Sequence, residues 1–144
     1  MTVQNILKLK GDAAVVTVPS TASLSEVAQV LSARRIGAVI VSDDGQRPLG
    51  ILSERDIVRE LGRRGVSCLS DPVTRVMTAK LVTCQRGDRA TEVMQKMTDG
   101  RFRHMPVMDG EVMIGFISIG DVVKARLSEL SMEKDALEGM IKGF

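Results

Sequence analysis

Apolar positions along the chain alternate between short runs and helix-spaced stripes. Val3, Ile6, Leu7 and Leu9 precede Lys10-Gly11-Asp12, a pattern that predicts a short helical lead-in ended by a glycine. Val15-Val16-Thr17-Val18 is a brief β-type run closed by Pro19. Ser23-Leu24-Ser25-Glu26 has the form of a capping box, in which serine and glutamate satisfy free N–H groups at a helix start. Leu24, Val27, Ala28 and Leu31 follow at i, i+3, i+4 and i+7, one face of a helix. Ile36 to Val41 reads as a strand, Asp43-Asp44-Gly45 as a turn and Leu49 to Leu52 as a second strand. A helix from Glu54 to Leu61 is expected to stop at Gly62.

After a stretch of linker composition over residues 63–74, the order restarts. Leu81-Val82-Thr83 predicts a strand, and Ala90, Val93, Met94 and Met97 repeat the helical face 66 residues after its first appearance. Phe102 to Val107 is the next strand and Asp109-Gly110 the turn. Gly115-Phe116-Ile117-Ser118-Ile119-Gly120-Asp121 then echoes Gly50-Ile51-Leu52-Ser53-Glu54-Arg55-Asp56 at an offset of 65. The second turn is one residue shorter than the first, which accounts for the change of offset and marks an internal duplication with a loop deletion. The expected class is α/β (α+β): a β-α-β-β-α unit occurring twice. One such unit is too small to cover both faces of its sheet, so two copies are expected to pack sheet to sheet with pseudo-twofold symmetry. That packing would leave two equivalent clefts, and such interfaces are favoured ligand sites. Along the chain this gives 1–66 as a first subdomain with its lead-in, 67–130 as a second, and 131–144 as a helical extension.

The last helix outlasts its counterpart. Val123, Leu127, Leu130, Leu137 and Ile141 sit at heptad-like steps, with Lys134 interrupting the stripe. Packing against the parent domain and a dimer contact both fit that pattern.

Composition narrows the partners more than the fold. Twenty basic against 18 acidic residues give a net charge of +2, and aromatic content is 2%, without Trp or Tyr. Neither an electrostatic footprint nor a stacking platform for nucleic acid is present. No apolar run approaches the roughly 20 residues that span a bilayer, and the first residues lack a signal-peptide pattern. The cytoplasm is the expected location. Cys68, in the linker, and Cys84, in an apolar run, fit neither a disulfide framework nor a metal spacing. The nine methionines suit an adaptable core.

The two echoed phrases resemble the signature of the cystathionine-β-synthase (CBS) domain, here as a tandem pair or Bateman module. That signature is Gly, two apolar residues, Ser or Thr, two variable residues and Asp at a strand-to-helix junction. The preceding strand with small residues or proline is also present, as Ile36-Gly37-Ala38 and as Arg103-His104-Met105-Pro106. The resemblance runs from about Lys10 to Leu130. It implies an adenosine-containing ligand (AMP, ATP, NAD or S-adenosylmethionine), a homodimer, and a stand-alone nucleotide sensor acting on a regulated protein partner.

Each Ser-x-x-Asp has a plain explanation, since serine at an N-cap and an acid at N3 close a capping box. A carboxylate can also accept both hydroxyls of a ribose, and a helix start can receive phosphate. By resemblance, Asp121 and Asp56 would hold ribose, with Ser118 and Ser53 near ribose or phosphate. Arg101, Arg103 and His104 cluster on one short stretch, and Lys10 and Arg55 are placed to approach the same clefts. Phosphate contact is expected of Arg103 and His104. Ile36, Gly37 and Ala38 allow close backbone approach to adenine, with Val15, Phe116 and Met105 as walls beside Pro106. Gly120 leaves the second helix start open where the first copy has Arg55, so the Asp121 cleft is expected to be the tighter. Ser53, Arg55, Asp56, Thr78 and Leu81 form the expected second cleft.

The expected function is an adenine-nucleotide-binding regulatory module, with no catalytic cofactor, no metal, and neither nucleic acid nor membrane as partner. No nucleophile-base constellation, Gly-x-Gly-x-x-Gly or Walker-type loop is present, which argues against an enzyme. The alternatives are a protein-interaction or dimerisation module without nucleotide, or a small nucleotide-using enzyme.

Overall fold

The computed structural model describes residues 1–11 and 14–141. The expected elements appear in their expected order: α1 (Val3–Lys10), β1 (Thr17–Val18), α2 (Leu24–Arg34), β2 (Ala38–Val41), β3 (Gly50–Ser53) and α3 (Glu54–Arg64) in the first half. α4 (Ala90–Gly100), β4 (His104–Asp109), β5 (Val112–Ser118) and α5 (Ile119–Ile141) follow in the second. Asp12, the last residue of the predicted lead-in, and residues 142–144 of the predicted extension lie outside the described residues. No helix among the described residues is long and apolar enough to cross a membrane.

The chain forms two compact units whose boundaries differ from a division at residues 66 and 130. One holds 14–82 with 109–114; the other holds 1–13, 83–108 and 115–144. Each unit is built on one repeat and takes in the segment that precedes the other repeat, while residues 109–114, the turn of the second repeat, group with the first-repeat unit.

In the unit built on the first repeat, β1 pairs parallel with β2, and β2 pairs antiparallel with β3 with Ala38 opposite Ser53. Leu24, Val27 and Leu31 on α2 close over Val39, Val41 and Leu52, as their helical spacing requires, and Ile57, Cys68 and Val73 complete the core. Residues 63–74 are not a loose linker. α3 runs on to Arg64, and two short 3-10 turns, Gly65–Ser70 and Val73–Arg75, follow directly. Cys68 and Val73 are fully buried. The backbone is tied to the start of α2 by Leu24 N–H to the Asp71 carbonyl at 3.0 Å and by Val73 N–H to the Ala22 carbonyl at 2.8 Å. The predicted stop at Gly62 is also corrected. Gly62 stays helical on the exposed side, and the helix ends at Gly65, where φ is 71° and the N–H caps the Leu61 carbonyl.

The second unit repeats this arrangement with the lead-in in the linker's place. Val3 N–H donates to the Asp88 carbonyl at 2.8 Å, and Ala90 N–H to the Met1 carbonyl at 3.0 Å. These are the same two bonds shifted by 66 residues on one side and 70 on the other. Val3 and Ile6 are thereby buried with Ala90, Val93, Met97, Met105, Val107 and Ile117. β4 and β5 form a two-stranded sheet turned at Gly110, where φ is 62°. The predicted strand Leu81-Val82-Thr83 does not form. Val82 is exposed, and only Cys84 reaches β4, as a lone parallel bridge to Val107. A single residue in pairing register replaces the two of β1.

The heptad-like stripe of α5 is left partly to largely exposed. Val122 and Ala125 are the buried residues of that helix, while Val123 is 41%, Leu127 62%, Leu130 47%, Leu137 59% and Ile141 85% exposed.

Candidate functional site

Both signature phrases turn from strand into helix in the same way. In the first, the Ser53 N–H and hydroxyl donate to Asp56 Oδ2 at 2.9 and 3.0 Å, and Asp56 N–H returns to Ser53 Oγ at 3.3 Å. In the second, the Ser118 N–H donates to Asp121 Oδ2 at 2.8 Å and Asp121 N–H to Ser118 Oγ at 3.1 Å. The capping role is thus filled in both copies, and each carboxylate sits at the positive end of a helix. Each helix start is also fastened to its own repeat's strand: Glu54 N–H to the Gly37 carbonyl at 2.9 Å, and Ile119 N–H to the Arg103 carbonyl at 2.8 Å. Ile36, Gly37 and Ala38 therefore stand beside Ser53, and Arg103 to Pro106 beside Ser118. Val15 lies in the first-repeat unit with Ile36–Ala38.

What surrounds the carboxylates separates the copies. Lys10, at the end of α1, donates to Asp121 Oδ2 at 3.0 Å and to the Phe116 carbonyl at 2.5 Å. Asp121 Oδ1 accepts no hydrogen bond from a described residue. At Asp56 the remaining oxygen is taken: Arg59, one helical turn on, donates to Oδ1 at 2.6 Å. Sequence reasoning missed Arg59, although the i,i+3 spacing on a helix signals such a pair. Lys80, placed like Lys10 relative to the other repeat, is exposed.

Burial pushes the Asp121 carboxyl up, but the Ser118 N–H and the Lys10 ammonium more than offset this, holding it below its ordinary value. The site therefore carries a fixed, partly buried negative charge with one oxygen open. Of the first-turn N–H groups of α5, those of Ile119 and Asp121 are used, which leaves that of Gly120 as the turn's open donor among the described residues. A Cβ at Gly120 would meet only Ser118 Oγ at 3.5 Å, so glycine here clears space rather than relieving strain.

His104 stacks on Phe116 with ring centroids 5.5 Å apart and an interplanar angle of 23°. This puts the one histidine beside the strand residue whose carbonyl Lys10 holds. Arg103 is exposed next to it. Met105 and Pro106 are buried in the core, and the Pro106 carbonyl accepts the Cys84 N–H at 3.1 Å. Arg101 ends α4 in the left-handed conformation, with φ 55°, as Arg35 ends α2 with φ 53°. In the first-repeat unit Thr78 pairs with Ile51 through two backbone bonds of 2.9 and 3.0 Å. Arg55 is exposed, and Leu81 is half-buried outside any strand. Cys84 is no nucleophile: burial, helped by Asp88, pushes its thiol up to about 12. Among the described residues no group of three His, Cys, Asp or Glu is placed to hold a metal ion.

The family model described as "CBS domain" matches the chain twice, at residues 12–63 and 73–128. The chain belongs to the CBS-domain family. Each CBS match ends beyond one Ser-x-x-Asp turn, so the duplicated phrase and the duplicated domain coincide. The mitochondrial CBS domain-containing protein CBSX3 of Arabidopsis thaliana is 33% identical over 99% of this chain and 72% of its own length. In several longer Arabidopsis thaliana relatives the match spans 22% to 25% of the relative. Among solved structures, the CBS-domain protein ATU1752 of Agrobacterium tumefaciens is 44% identical with a TM-score of 0.82, covering 88% of this chain and 99% of that one. The CBS domain protein PAE2072 of Pyrobaculum aerophilum, solved in complex with AMP, is 28% identical with a TM-score of 0.76, covering 92% and 99%.

Proposed function

We propose that this CBS pair is a cytoplasmic regulatory module that senses an adenine nucleotide at Asp121. The observation that carries this reading is the difference between two otherwise matching helix caps. Asp121 keeps one oxygen open and is held ionised, whereas both oxygens of Asp56 are engaged within the chain. A ribose has two vicinal hydroxyls, which would donate to Asp121 Oδ1 and displace or share the Lys10 contact at Oδ2. The Gly120 N–H, Arg103 and His104 lie on the same helix start and its backing strand, where phosphate is stabilised by free N–H groups and positive charge. The AMP complex of PAE2072 supports the adenosine class; AMP, ATP and NAD remain the candidates within it. The ligand would act by population shift, favouring whichever arrangement of a homodimer or of a regulated protein partner binds with it more tightly.

The test is thermal denaturation against AMP, ADP, ATP, NAD, NADH and S-adenosylmethionine. A ligand at about 100 times its dissociation constant adds roughly 2.7 kcal/mol. Asp121→Ala is expected to remove most of that gain and Asp56→Ala to leave most of it. A second reading, a protein-interaction module without nucleotide, draws on the fact that both caps close without any ligand. It gains if no compound shifts the transition. Turnover of ATP or NAD would instead indicate an enzyme.

A further inference from the structure

We infer that the Lys10 ammonium is a latch on the candidate site, one that a ribose opens and a deoxyribose leaves closed. The inference rests on the adenine-nucleotide reading and concerns which residue has to move when that ligand binds. Asp121 Oδ2 already accepts two hydrogen bonds, from the Ser118 N–H at 2.8 Å and from Lys10 Nζ at 3.0 Å. A carboxylate oxygen offers about two lone-pair sites, so Oδ2 is full, whereas Oδ1 is open among the described residues. A first ligand hydroxyl donates to Oδ1 without disturbing either donor. A second, vicinal hydroxyl reaches the carboxylate only by taking a place at Oδ2. The Ser118 N–H is fixed by the helix cap, so Lys10 is the donor that leaves.

The two units differ in what closes the strand edge beside this turn. Phe116 holds the place in the second signature phrase that Ile51 holds in the first. Ile51 exchanges two backbone bonds with Thr78, donating to its carbonyl at 3.0 Å and accepting its N–H at 2.9 Å. The Phe116 carbonyl is held instead by Lys10 Nζ at 2.5 Å. A backbone bridge moves only with the chain, whereas the Lys10 stem is flexible and keeps 32% of its side chain exposed. The partner of Asp56 differs as well. Arg59 rises from the same helix as Asp56, so its release would carry nothing beyond that helix. Lys10 comes from α1, which is anchored by the buried Val3 and Ile6 and followed by Gly11 at φ 85°. Displacement therefore leaves α1 docked and turns ribose occupancy into an ammonium without its carboxylate at that helix's end.

Calorimetric titration of the full chain with AMP and ATP, each beside its 2′-deoxy counterpart, tests this. Lys10→Met is expected to raise the preference for ribose over deoxyribose about two- to fivefold, the worth of a part-exposed ion pair. Any attraction between Lys10 and phosphate is common to both sugars and cancels in that ratio. Acetic anhydride labelling of the natural chain, read by mass spectrometry, gives a second measure, with the exposed Lys8 as internal standard. Labelling of Lys10 is expected to rise on saturation with the ribonucleotide and to stay level with the deoxy form. A lysine that contacted the ligand would become less reactive instead. The latch alone is overturned if Asp121→Ala abolishes binding yet Lys10→Met leaves the sugar preference unchanged or lowers it, or if labelling falls. If neither ribonucleotide binds, or if binding ignores Asp121→Ala, the nucleotide reading fails and the latch falls with it.

Discussion

One oxygen of Asp121 closes the cap of α5 and takes the Lys10 ammonium, while the other stays open, so a single carboxylate serves both helix and candidate site. Its folded pKa is depressed. A group depressed on folding contributes stability above its unfolded pKa, and that contribution is lost as pH falls through the folded value. The Asp121 contribution should therefore be complete above the ordinary carboxylate range, begin to fall as pH enters that range, and be gone once pH passes below the depressed folded value. Lys10 and Asp121 keep 32% and 23% of their side chains exposed, so screening limits their pair to about 0.5–1 kcal/mol. Lys10→Met is expected to cost that much at pH 7, plus the lost bond to the Phe116 carbonyl. Without the ammonium, burial weighs more and the acid transition should begin at higher pH. Urea unfolding from pH 7 to pH 2.5 reads both effects: the Asp121 part of the difference should vanish in acid, and the Phe116 part should persist. A constant difference at all pH values would mean that the ammonium does not act through Asp121.

Glycines at three element positions meet different surroundings, and substitution should separate them. Gly62 lies inside α3 on its exposed side with nothing near a Cβ. Gly62→Ala should stabilise by about 0.5–1 kcal/mol, the helical cost of glycine. Gly50 and Gly115 begin the two signature phrases and let another segment approach the strand. A Cβ at Gly115 would meet the Leu7 Cδ2 methyl at 2.7 Å, the far end of a flexible side chain. At Gly50 it would meet Met77 Sδ at 2.5 Å, Met77 Cγ at 2.8 Å and the Thr78 carbonyl oxygen at 3.1 Å. Thr78 is held by two bonds to Ile51, so Gly50→Ala should cost about 1–3 kcal/mol and Gly115→Ala less. Thermal melts of the three variants would show Gly62→Ala above the natural chain and Gly50→Ala lowest. The opposite order for Gly50 and Gly115 would mean that Met77 yields more readily than Leu7. At this scale the sequence was a good guide wherever a period recurs. The face of α2, its repeat on α4 and the two Ser-x-x-Asp turns are local patterns, and the capped carboxylates of the site could be read directly. What depends on pairing between distant segments was not legible. The 3-10 turns that bury Cys68, the His104–Phe116 stack and the loss of the strand at Leu81 have no periodic trace. The stop predicted at Gly62 failed because glycine is tolerated in an exposed helix when Gly65 supplies the left-handed cap.

Across the whole molecule, each unit borrows the segment that precedes the other repeat. The borrowing is symmetric: Val3 and Val73 are both fully buried, Leu7 and Met77 both cover the signature glycines, and the backbone bonds match. This places Lys10, from the start of the chain, on Asp121 near its end, and it explains why the lead-in belongs to the unit of the second repeat. A duplicated sequence shows that two copies exist but not which flank joins which copy, since both assignments keep the same apolar pattern. The exchange makes a sharp prediction about local stability. Ile6 is 1% exposed in α1, and truncating a buried isoleucine to alanine costs about 2–5 kcal/mol through lost transfer energy and a residual cavity. If α1 is a structural part of the second-repeat unit, Ile6→Ala should loosen that unit first. Amide hydrogen exchange, which resolves sub-global opening, should then show lost protection at Val93, Met97 and Ile117. Val39, Val41 and Leu52 of the first-repeat core should keep theirs. Val73→Ala should give the mirror result, exposing the amides of β2 and β3 while α4 and β5 hold. Equal loss across both sets for both variants would mean that the units open only together, and that the borrowed segments stabilise the chain as one cooperative whole.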